Sequence, residues 1–387
     1  NNEKITVVAS ARGNSTNDLE SILMKAAEKT GYKKKFEAFK EYQQIPNSSV
    51  DFSQEFSRLE TIFEGVSLLG DYSQKIKDEV LAQGELLSVK LLASLLEKEN
   101  ISANATDART LIITDENFGN AQPISSLSKE NVIAYYKQNT EAINIVTGFI
   151  SSNKKGETTT LGRNGSNYTA ALLANFLDAD ELQNYTHVSG IYTANPDLVA
   201  DAKKIEELSF SEANELANFG ATILHAKSII PLLEKNINLR ILNTFNKEDK
   251  GTLITSESTT KGIKSISTIN NVALLNFEGR GLLGKVGVDA RIFKALSDKN
   301  INVSIISQGS SERGIGLMLW VEYNIDQVGK NFRVEGDWPG EVMGKQKDGS
   351  DKDYHLYQPH DVFKVDENGW LVYCGKDGDV LTTKYVK

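Results

Sequence analysis

The sequence contains little cysteine and little histidine. Its single cysteine, Cys374, cannot form an intramolecular disulfide, and such low cysteine usage is typical of a reducing compartment, so we expect a cytoplasmic protein. With one distant cysteine, His355 and His360 do not make a convincing zinc site. We therefore predict no metal ion bound by protein side chains alone.

Long apolar runs and an excess of basic charge are also absent. No apolar run approaches the roughly 20 residues that a membrane span needs. Acidic residues outnumber basic ones by 52 to 43, and a net charge of -9 argues against nucleic acid or an anionic membrane as a general partner. The 387 residues, 40% of them hydrophobic, are enough for a sizeable core and for two or three domains.

The most informative stretch is a glycine-containing turn at residues 162–167, GRNGSN, followed by a predicted helix at residues 168–177, which are rich in Ala and Leu. The first amides of a helix lack internal partners and attract anions. Gly162 and Gly165 would let an anion approach the backbone, and Arg163 offers a planar group suited to a carboxylate. Ser166 could cap the helix or contact a ligand. An ordinary loop before a helix would show the same pattern.

Predicted strands alternate with predicted helices through most of the chain. Strands are expected at residues 5–9, 111–113, 142–146 and 238–242, with helices between them. This alternation predicts an α/β fold with a mainly parallel sheet covered on both faces. Glu85 lies in the first turn of a helix predicted to run to residue 97, where either the helix dipole or a function would explain it.

A polar stretch at residues 247–262 suggests a domain boundary, and the segment after it is compact. A strand at 272–277, a helix at 286–298 and strands at 301–306 and 315–320 are predicted there. Its glycines match G-x-G-x-x-G, but no acidic residue ends the next strand, which disfavours a dinucleotide site. From residue 324, turn signals between short alternating segments predict a small antiparallel meander. The three glycines of the motif are Gly279, Gly281 and Gly284.

A collinear series of segments between residues 4 and 325 resembles aspartate kinase of the amino-acid kinase family. This likeness is more specific than any single motif. The segments lie at residues 10–19, 84–88, 158–173, 186–196, 219–225, 243–254 and 307–312.

The resemblance implies an amino-acid kinase domain at residues 1–258, with a parallel sheet covered by helices. An ACT-like module of ferredoxin-like α+β type would follow at 259–325, and 326–387 would be an unassigned β-rich tail. The likeness in the ACT part is closest to the kinase half of bifunctional aspartokinase-homoserine dehydrogenases. It also implies that the chain begins after the family's first strand, which carries Lys-Phe-Gly-Gly.

The resemblance further implies phosphoryl transfer from ATP, with Mg²⁺, to the side-chain carboxylate of L-aspartate. The product would feed lysine, threonine and methionine synthesis. The residues at the family's substrate-binding positions match in type. They are Thr16, Glu85, Arg163 and Ser166.

On the nucleotide side, Thr186, Tyr192, Gly162 and Gly165 keep the family's pattern. Four positions depart from it. Asn167 and His187 stand at catalytic positions where the family has Asp, Asp197 where it has Arg, and Thr222 where it has Lys. Phosphoryl transfer depends on positioning and charge neutralisation, and these four substitutions affect both. A second hypothesis is therefore a catalytically degenerate regulatory protein of the same family that binds amino acids.

The ACT-like module would bind an amino-acid effector, threonine or lysine, and would pair two copies of the chain into a homodimer. Both expectations follow from the resemblance alone. The effector-binding positions would be Gly281, Leu282, Leu283, Asn302 and Val303.

Overall fold

The structure is a computed structural model, and it divides the chain into two units, Asn1–Ser267 and Thr268–Lys387. Within the described residues, no helix is both long and apolar enough to cross a membrane. The described residues are 4–45, 50–140, 142–218, 226–258, 262–267, 272–278, 287–298, 301, 303–308, 314–320, 341–342, 363–365 and 371–373.

The first unit alternates helices and strands, as predicted. Its helices are α1 Ser15–Ala27, α2 Tyr32–Gln43, α3 Ser53–Leu69, α4 Gln74–Lys98, α5 Ser125–Gln138, α6 Gly165–Leu177, α7 Phe210–Asn218 and α8 Ala226–Lys235. Its strands are β1 Thr6–Ala9, β2 Ala103–Thr106, β3 Ile113–Thr114, β4 Ile143–Thr147, β5 Ile150–Asn153, β6 Thr158–Thr160, β7 Glu181–Thr186, β8 Ile191–Tyr192, β9 Lys204–Ile205, β10 Glu207–Ser209, β11 Asn238–Asn243 and β12 Thr252–Thr255.

These strands form small sheets in which parallel pairing predominates. The order β1-β4-β2 is parallel throughout, and β3 pairs parallel with β5, which pairs antiparallel with β6. In the order β10-β12-β11-β7, only the β11–β12 pair is antiparallel. The predicted α/β class is confirmed.

The first sheet is buried on both faces because successive residues of β4 point in opposite directions. Ile145 packs with Val89 and Ala93 of α4. Val146 belongs to a second cluster that contains Leu172 and Phe176 of α6. The sheet therefore lies between α4 on one face and α6 on the other.

Helix α6 contributes to two hydrophobic cores. Its Leu172, Leu173 and Phe176 pack under the first sheet, while its Ala171 and Ala174 belong to the core beneath β7, β11 and β12. This double use explains why the helix is apolar around most of its surface. Because α6 packs in both cores, the position of the glycine turn at its start is fixed by both of them.

Helix α4 differs from the prediction around Glu85. It is one continuous helix from Gln74 to Lys98, so Glu85 lies in its middle and the helix dipole does not explain this residue. Ser73 caps the start with its side chain. Position 84 within the helix is a glycine, Gly84, and a Cβ there would lie only 3.0 Å from Ala11 Cβ. The missing side chain therefore lets α4 approach the β1–α1 turn closely.

The second unit contains a four-stranded sheet with all pairs antiparallel. Its elements are β13 Val272–Glu278, α9 Val288–Ser297, β14 Val303–Gln308, β15 Gly314–Trp320 and β16 Glu341–Val342, in the sheet order β14-β15-β13-β16. Strand β15 lies between β13 and β14, an arrangement of the ferredoxin-like type and unlike the adjacent parallel strands of a dinucleotide fold. Two tail strands, β17 Phe363–Val365 and β18 Leu371–Tyr373, form an antiparallel pair, which agrees with that part of the predicted meander.

Candidate active site

Parallel strands β1, β4 and β2 end side by side, and the turns that follow them form one edge of the sheet. Ala9 lies opposite Thr147, and Thr106 lies opposite Val146. The amide of Gly148, directly after β4, donates to Ala9 O at 2.9 Å. Ligands of open α/β sheets bind beyond the carboxyl ends of the strands. This edge is therefore where a site is expected.

Glu85 reaches the same edge from α4 and is almost completely buried, with 3% of its surface exposed. The Ala11 amide, just after β1, donates to its Oε1 at 3.4 Å. Within the described part of the chain, Oε2 is buried and has no hydrogen-bond partner. Burial raises the pKa of Glu85 to about 8, and the Ala11 hydrogen bond opposes this only partly. A buried carboxyl group with an unused oxygen is suited to bind a cationic donor.

The start of α1 lies close to this carboxyl group. Ser15 is fully buried, donates to Arg12 O at 2.5 Å and accepts from Gln43 Nε2 at 2.6 Å. Thr16 follows it in the first turn of α1 and is half-buried. Because α1 and α4 meet at Gly84, the structure brings the elements that carry Thr16 and Glu85 together.

The start of α6 is seated on the turn after β4. A Cβ placed on Gly148 would lie 2.5 Å from both Cβ and Oγ of Ser166, so the two residues are in direct contact. A Cβ on Gly165 would lie 2.7 Å from the ring of Phe149. Phe149 has a φ of 65°, which is unusual for a large side chain, and its amide donates to Thr169 Oγ1 at 3.1 Å. Ser166 is thereby fixed beside the carboxyl end of β4.

Phe149 is absent from the sequence-based site because no local pattern marks it. Its strained backbone and its contact with α6 depend on residues about 20 positions away. The only local signal is a Gly-Phe pair directly after an apolar strand.

The glycine turn itself has the conformation that its sequence requires. Gly162 has a φ of +79° and Asn164 a φ of +55°, and the Asn164 side chain makes no capping hydrogen bond to α6. Gly162 packs against the loop before α5, since a Cβ there would lie 2.8 Å from Asn120 Oδ1. Arg163 is exposed, and Asn167 is half-buried in the first turn of α6. The helix start thus remains uncapped by the residue that usually provides a cap.

Of the predicted nucleotide residues, Gly162 and Gly165 lie in the glycine turn at the start of α6, Thr186 lies at the end of β7 in the second sheet, and Tyr192 lies in the separate β8–β9 pair. Thr186 ends β7 opposite Asn243 of β11, and the Thr244 amide donates to Thr186 O at 2.9 Å. Tyr192 is half-buried in β8, whereas His187 is exposed. The carboxyl ends of two parallel strands therefore meet at Thr186, as they do at Gly148 in the first sheet.

Comparison with known proteins identifies the family. Residues 1–243 match the amino acid kinase family, and residues 275–319 match an ACT domain. The chain belongs to the amino acid kinase family. The match covers more than half of the 387 residues.

The relatives of this chain within the family include aspartokinases. Lysine-sensitive aspartokinase 3 of Escherichia coli K12 is 34% identical over 268 residues, which are 67% of this chain and 59% of the relative. Bifunctional aspartokinase/homoserine dehydrogenase 1 of Arabidopsis thaliana is 32% identical over 271 residues, 68% of this chain and 30% of the relative. The chain thus spans less than two thirds of either protein.

A crystal structure of E. coli aspartokinase III in complex with aspartate and ADP superposes with a TM-score of 0.73 and 30% identity, covering 85% of this chain and 77% of the other. A second crystal structure of that enzyme, with lysine and aspartate, gives a TM-score of 0.67 and 32% identity, covering 81% and 72%. The amino acid kinase fold predicted from the sequence is confirmed.

Sequence reasoning missed Asp78, which in this member of the amino acid kinase family holds Thr160, two residues before the glycine turn. Asp78 lies seven residues before Glu85 on α4, hence on the same face, and is fully buried. It accepts hydrogen bonds from the amides of Gly119 (2.8 Å) and Thr160 (3.0 Å) and from the Thr160 hydroxyl (3.1 Å). Burial raises its pKa, while these hydrogen bonds act in the opposite direction. The available signal was the seven-residue spacing of Asp78 and Glu85, which places both acids on one face of the helix.

A polar cavity of about 470 Å³ lies on another face of α4, beside α3 and the turn after β2. Ion pairs line it: Glu55 with Lys90, Glu79 with Arg58, and Asp107 with Arg109. Thr147 also borders it and accepts from the Ala108 amide at 2.8 Å. None of the predicted site residues is among those that line this cavity.

Several predicted residues lie outside the described part of the chain. Val303 is described, begins β14 and lies opposite Leu319 of β15. The predicted residues outside the described ranges are Thr222, Gly281, Leu282, Leu283 and Asn302.

Proposed function

We propose that this chain is an aspartate kinase that transfers the γ-phosphoryl group of ATP to the side-chain carboxylate of L-aspartate. The observation that carries the proposal is the buried Glu85 carboxyl group, which has one unused oxygen at the carboxyl edge of a parallel sheet. The similarity to E. coli aspartokinase III, crystallised with aspartate and ADP, supports it.

Four side chains would hold the amino acid. Glu85 would accept from its ammonium group, and this requires the carboxylate form, so binding releases the proton that burial retains. Arg163 would pair with its α-carboxylate through two parallel hydrogen bonds. Thr16 and Ser166 would supply hydroxyl groups.

The transfer needs no protein nucleophile. An oxygen of the bound side-chain carboxylate attacks the γ-phosphorus, the bond to the β-phosphate oxygen breaks, and ADP leaves with that electron pair. The chain's contribution is to align the two substrates and to oppose the developing negative charge. The amides at the start of α6, with Gly162 and Gly165, would approach the transferred group. Thr186 and Tyr192 would contact the nucleotide.

Mg²⁺ does not fit a site made by this chain alone. Within the described residues, no group of three or more His, Cys, Asp or Glu side chains could hold a metal ion, and Asn167 offers an amide instead of a carboxylate. The ion would therefore arrive on the phosphates of ATP, as is usual for Mg²⁺.

The test is aspartate-dependent release of ADP by the purified chain, with Glu85→Gln and Glu64→Gln compared. Glu64 is an exposed residue of α3 and serves as the control. We expect turnover in the unaltered chain and in the Glu64→Gln variant, and a large loss in Glu85→Gln. Absence of turnover in the unaltered chain would contradict the proposal.

A catalytically degenerate amino-acid-binding protein is the alternative that the substitutions at Asn167 and His187 favour. It predicts aspartate binding without turnover, and activity only after both Asn167→Asp and His187→Asp are introduced. Equal turnover in the unaltered chain and in the double variant would exclude it.

We also propose that the second unit binds threonine or lysine as a feedback effector and pairs two chains. Its match to an ACT domain and the antiparallel sheet support this. Titration calorimetry with each amino acid, and light scattering for the mass in solution, are the tests. No binding of either amino acid, or a monomer at all concentrations, would contradict the respective part.

A further inference from the structure

The polar cavity beside α4 has no part in the proposed mechanism. Its volume of about 470 Å³ lies within the range of about 300–1,000 Å³ that small-molecule sites occupy. Residues of α3, of α4 and of the turns after β2 and β4 border it. Glu85 leaves α4 in another direction, toward the Ala11 amide. The cavity is therefore separate from the proposed aspartate site.

Polar side chains form most of the cavity wall. Of the described residues that line it, Leu86, Val89 and Ala105 are the apolar ones. Sites for small molecules usually have a mostly apolar wall with a few polar groups. Polar groups that lose water need polar partners, so this wall favours a ligand that is itself polar and charged.

Glu55 supplies an acceptor that the protein leaves unused. It lies in the first turn of α3 and is almost completely buried, with 7% of its surface exposed. Its Oε1 accepts from Lys90 Nζ, whereas its Oε2 is buried and has no hydrogen-bond partner among the described residues. Buried carboxylate oxygens are normally paired, because an unmade hydrogen bond is costly there. A ligand with a cationic N–H donor would pair this oxygen.

Arg58 supplies the opposite charge one turn further along the same helix. Its Nε donates to Glu79 Oε1 of α4 at 3.3 Å. That bond leaves the edge formed by the two terminal nitrogens, which is suited to a carboxylate. Residues three positions apart on a helix are neighbours, with Cβ atoms about 5–6 Å apart. Glu55 and Arg58 therefore line the cavity side by side.

The charges that line the cavity balance. Three acidic and three basic side chains border it, so their formal charges sum to zero and a ligand without net charge suits it better than a phosphate or a metal ion. A free α-amino acid is such a ligand, and it carries an ammonium and a carboxylate on one carbon atom. The six charged residues are Glu55, Glu79, Asp107, Arg58, Lys90 and Arg109.

We propose that the cavity beside α4 binds a free α-amino acid with a polar side chain. Its ammonium group donates to Glu55 Oε2, and its α-carboxylate pairs with the terminal nitrogens of Arg58. The short distance between the two ligand groups matches two neighbouring side chains on one helix face. This inference does not depend on the proposed kinase function.

The test is titration calorimetry of the full chain with each of the standard L-amino acids, followed by the same titrations of Glu55→Gln and Arg58→Ala. Loss of one charge-assisted contact predicts a Kd about 10-fold to 100-fold higher for the bound amino acid in each variant. Glu64→Gln, an exposed position of the same helix, is the matched control and should retain the affinity. Glu85→Gln should retain it too, which separates this cavity from the proposed aspartate site.

The 2-hydroxy acid that corresponds to the bound amino acid tests the role of Glu55. It lacks the ammonium group and should bind about 10-fold or more weakly, so equally tight binding would contradict the proposal. The Arg58 side chain is 61% exposed, so Arg58→Ala should fold normally, and urea unfolding checks this for both variants. If neither variant weakens the binding of any amino acid, the inference is overturned. That result would leave the kinase proposal unaffected, because ADP release is measured independently.

Discussion

At the scale of single residues, the proposed chemistry depends most on Glu85. A carboxyl group in water is ionised at neutral pH, but burial in α4 raises the pKa of Glu85 to about 8. The retained proton and the unused oxygen have the same cause, which is the burial of this side chain away from water.

Glu85 predicts proton release on substrate binding. At pH 7 the free carboxyl group is mostly protonated, and an ammonium group would ionise it, so roughly one proton per aspartate should leave. Calorimetry in buffers of different ionisation enthalpy measures this number. In Glu85→Gln the release should disappear. Equal release in both proteins would show that another group ionises.

Gly148 predicts a steric effect on Ser166. A methyl group at position 148 would lie 2.5 Å from Ser166 Cβ and 2.7 Å from its Cα, so the start of α6 must move. We expect Gly148→Ala to lower stability by about 1–3 kcal/mol and to lower kcat/KM for aspartate by about 10-fold or more. Urea unfolding and initial rates measure the two effects.

Gly65→Ala is the control for this variant. Gly65 lies within α3 with open space around it, so alanine there should raise stability by about 0.5–1 kcal/mol and leave the rate unchanged. A Gly148→Ala variant with full activity would mean that Ser166 is not needed at its observed position.

At the scale of secondary-structure elements, α4 organises the site. One face carries Asp78 to Thr160, just before the glycine turn, and Glu85 to Ala11 in the β1–α1 turn, while apolar residues of α4 pack on the first sheet. Helix α6 begins at the glycine turn, and its apolar residues pack in both hydrophobic cores of the unit.

Asp78 provides the test of this role. Asp78→Asn keeps the shape but replaces one acceptor oxygen by an NH₂ group. If Oδ2 is replaced, the amides of Gly119 and Thr160 both lose their acceptor, and if Oδ1 is replaced, Gln74 Nε2 and the Thr160 hydroxyl lose theirs. We expect a loss of about 1–3 kcal/mol in stability and a higher KM for aspartate, because the glycine turn loosens. Exposed Asp201→Asn should change neither quantity. Unaltered stability in Asp78→Asn would contradict the anchoring role.

At the scale of the whole molecule, the buried carboxyl groups make stability depend on pH. The pKa of Glu85 is 4.5 when unfolded and about 8 when folded, so the folded state holds the proton longer and stability falls as pH rises through this window. Each pKa unit corresponds to about 1.4 kcal/mol. The raised pKa of Asp78 acts in the same direction.

We therefore expect the ligand-free protein to unfold at lower urea concentration at pH 8 than at pH 5. Glu85→Gln should reduce this difference, and L-aspartate should reduce it by stabilising the ionised form. An identical pH dependence in the unaltered chain and Glu85→Gln would show that Glu85 titrates normally in the folded state.

The domain division is another property of the whole molecule. The polar segment 247–262 suggested a boundary near residue 258, whereas the structure divides after Ser267. Strand β12 lies in that segment and pairs with β10 and β11, and Ser265 donates to Tyr192 O at 2.9 Å. Polar composition alone does not reveal such pairing.

The sequence alone determined the features that local patterns encode. The glycine turn before α6, the strand at β4 and the order of elements in the second unit follow from residue periodicity and from turn residues, which act over a few positions. The family also followed, because its motifs occur in order along the chain.

Only the tertiary structure decided how these pieces act together. It placed Glu85 in the middle of a helix, where burial leaves one of its oxygens without a hydrogen-bond partner among the residues that the structure describes. It also brought Phe149 onto α6, Asp78 onto Thr160 just before the glycine turn, and Lys227 onto Asn120. The three contacts join residues that lie 20 to 107 positions apart, so no local pattern could contain them.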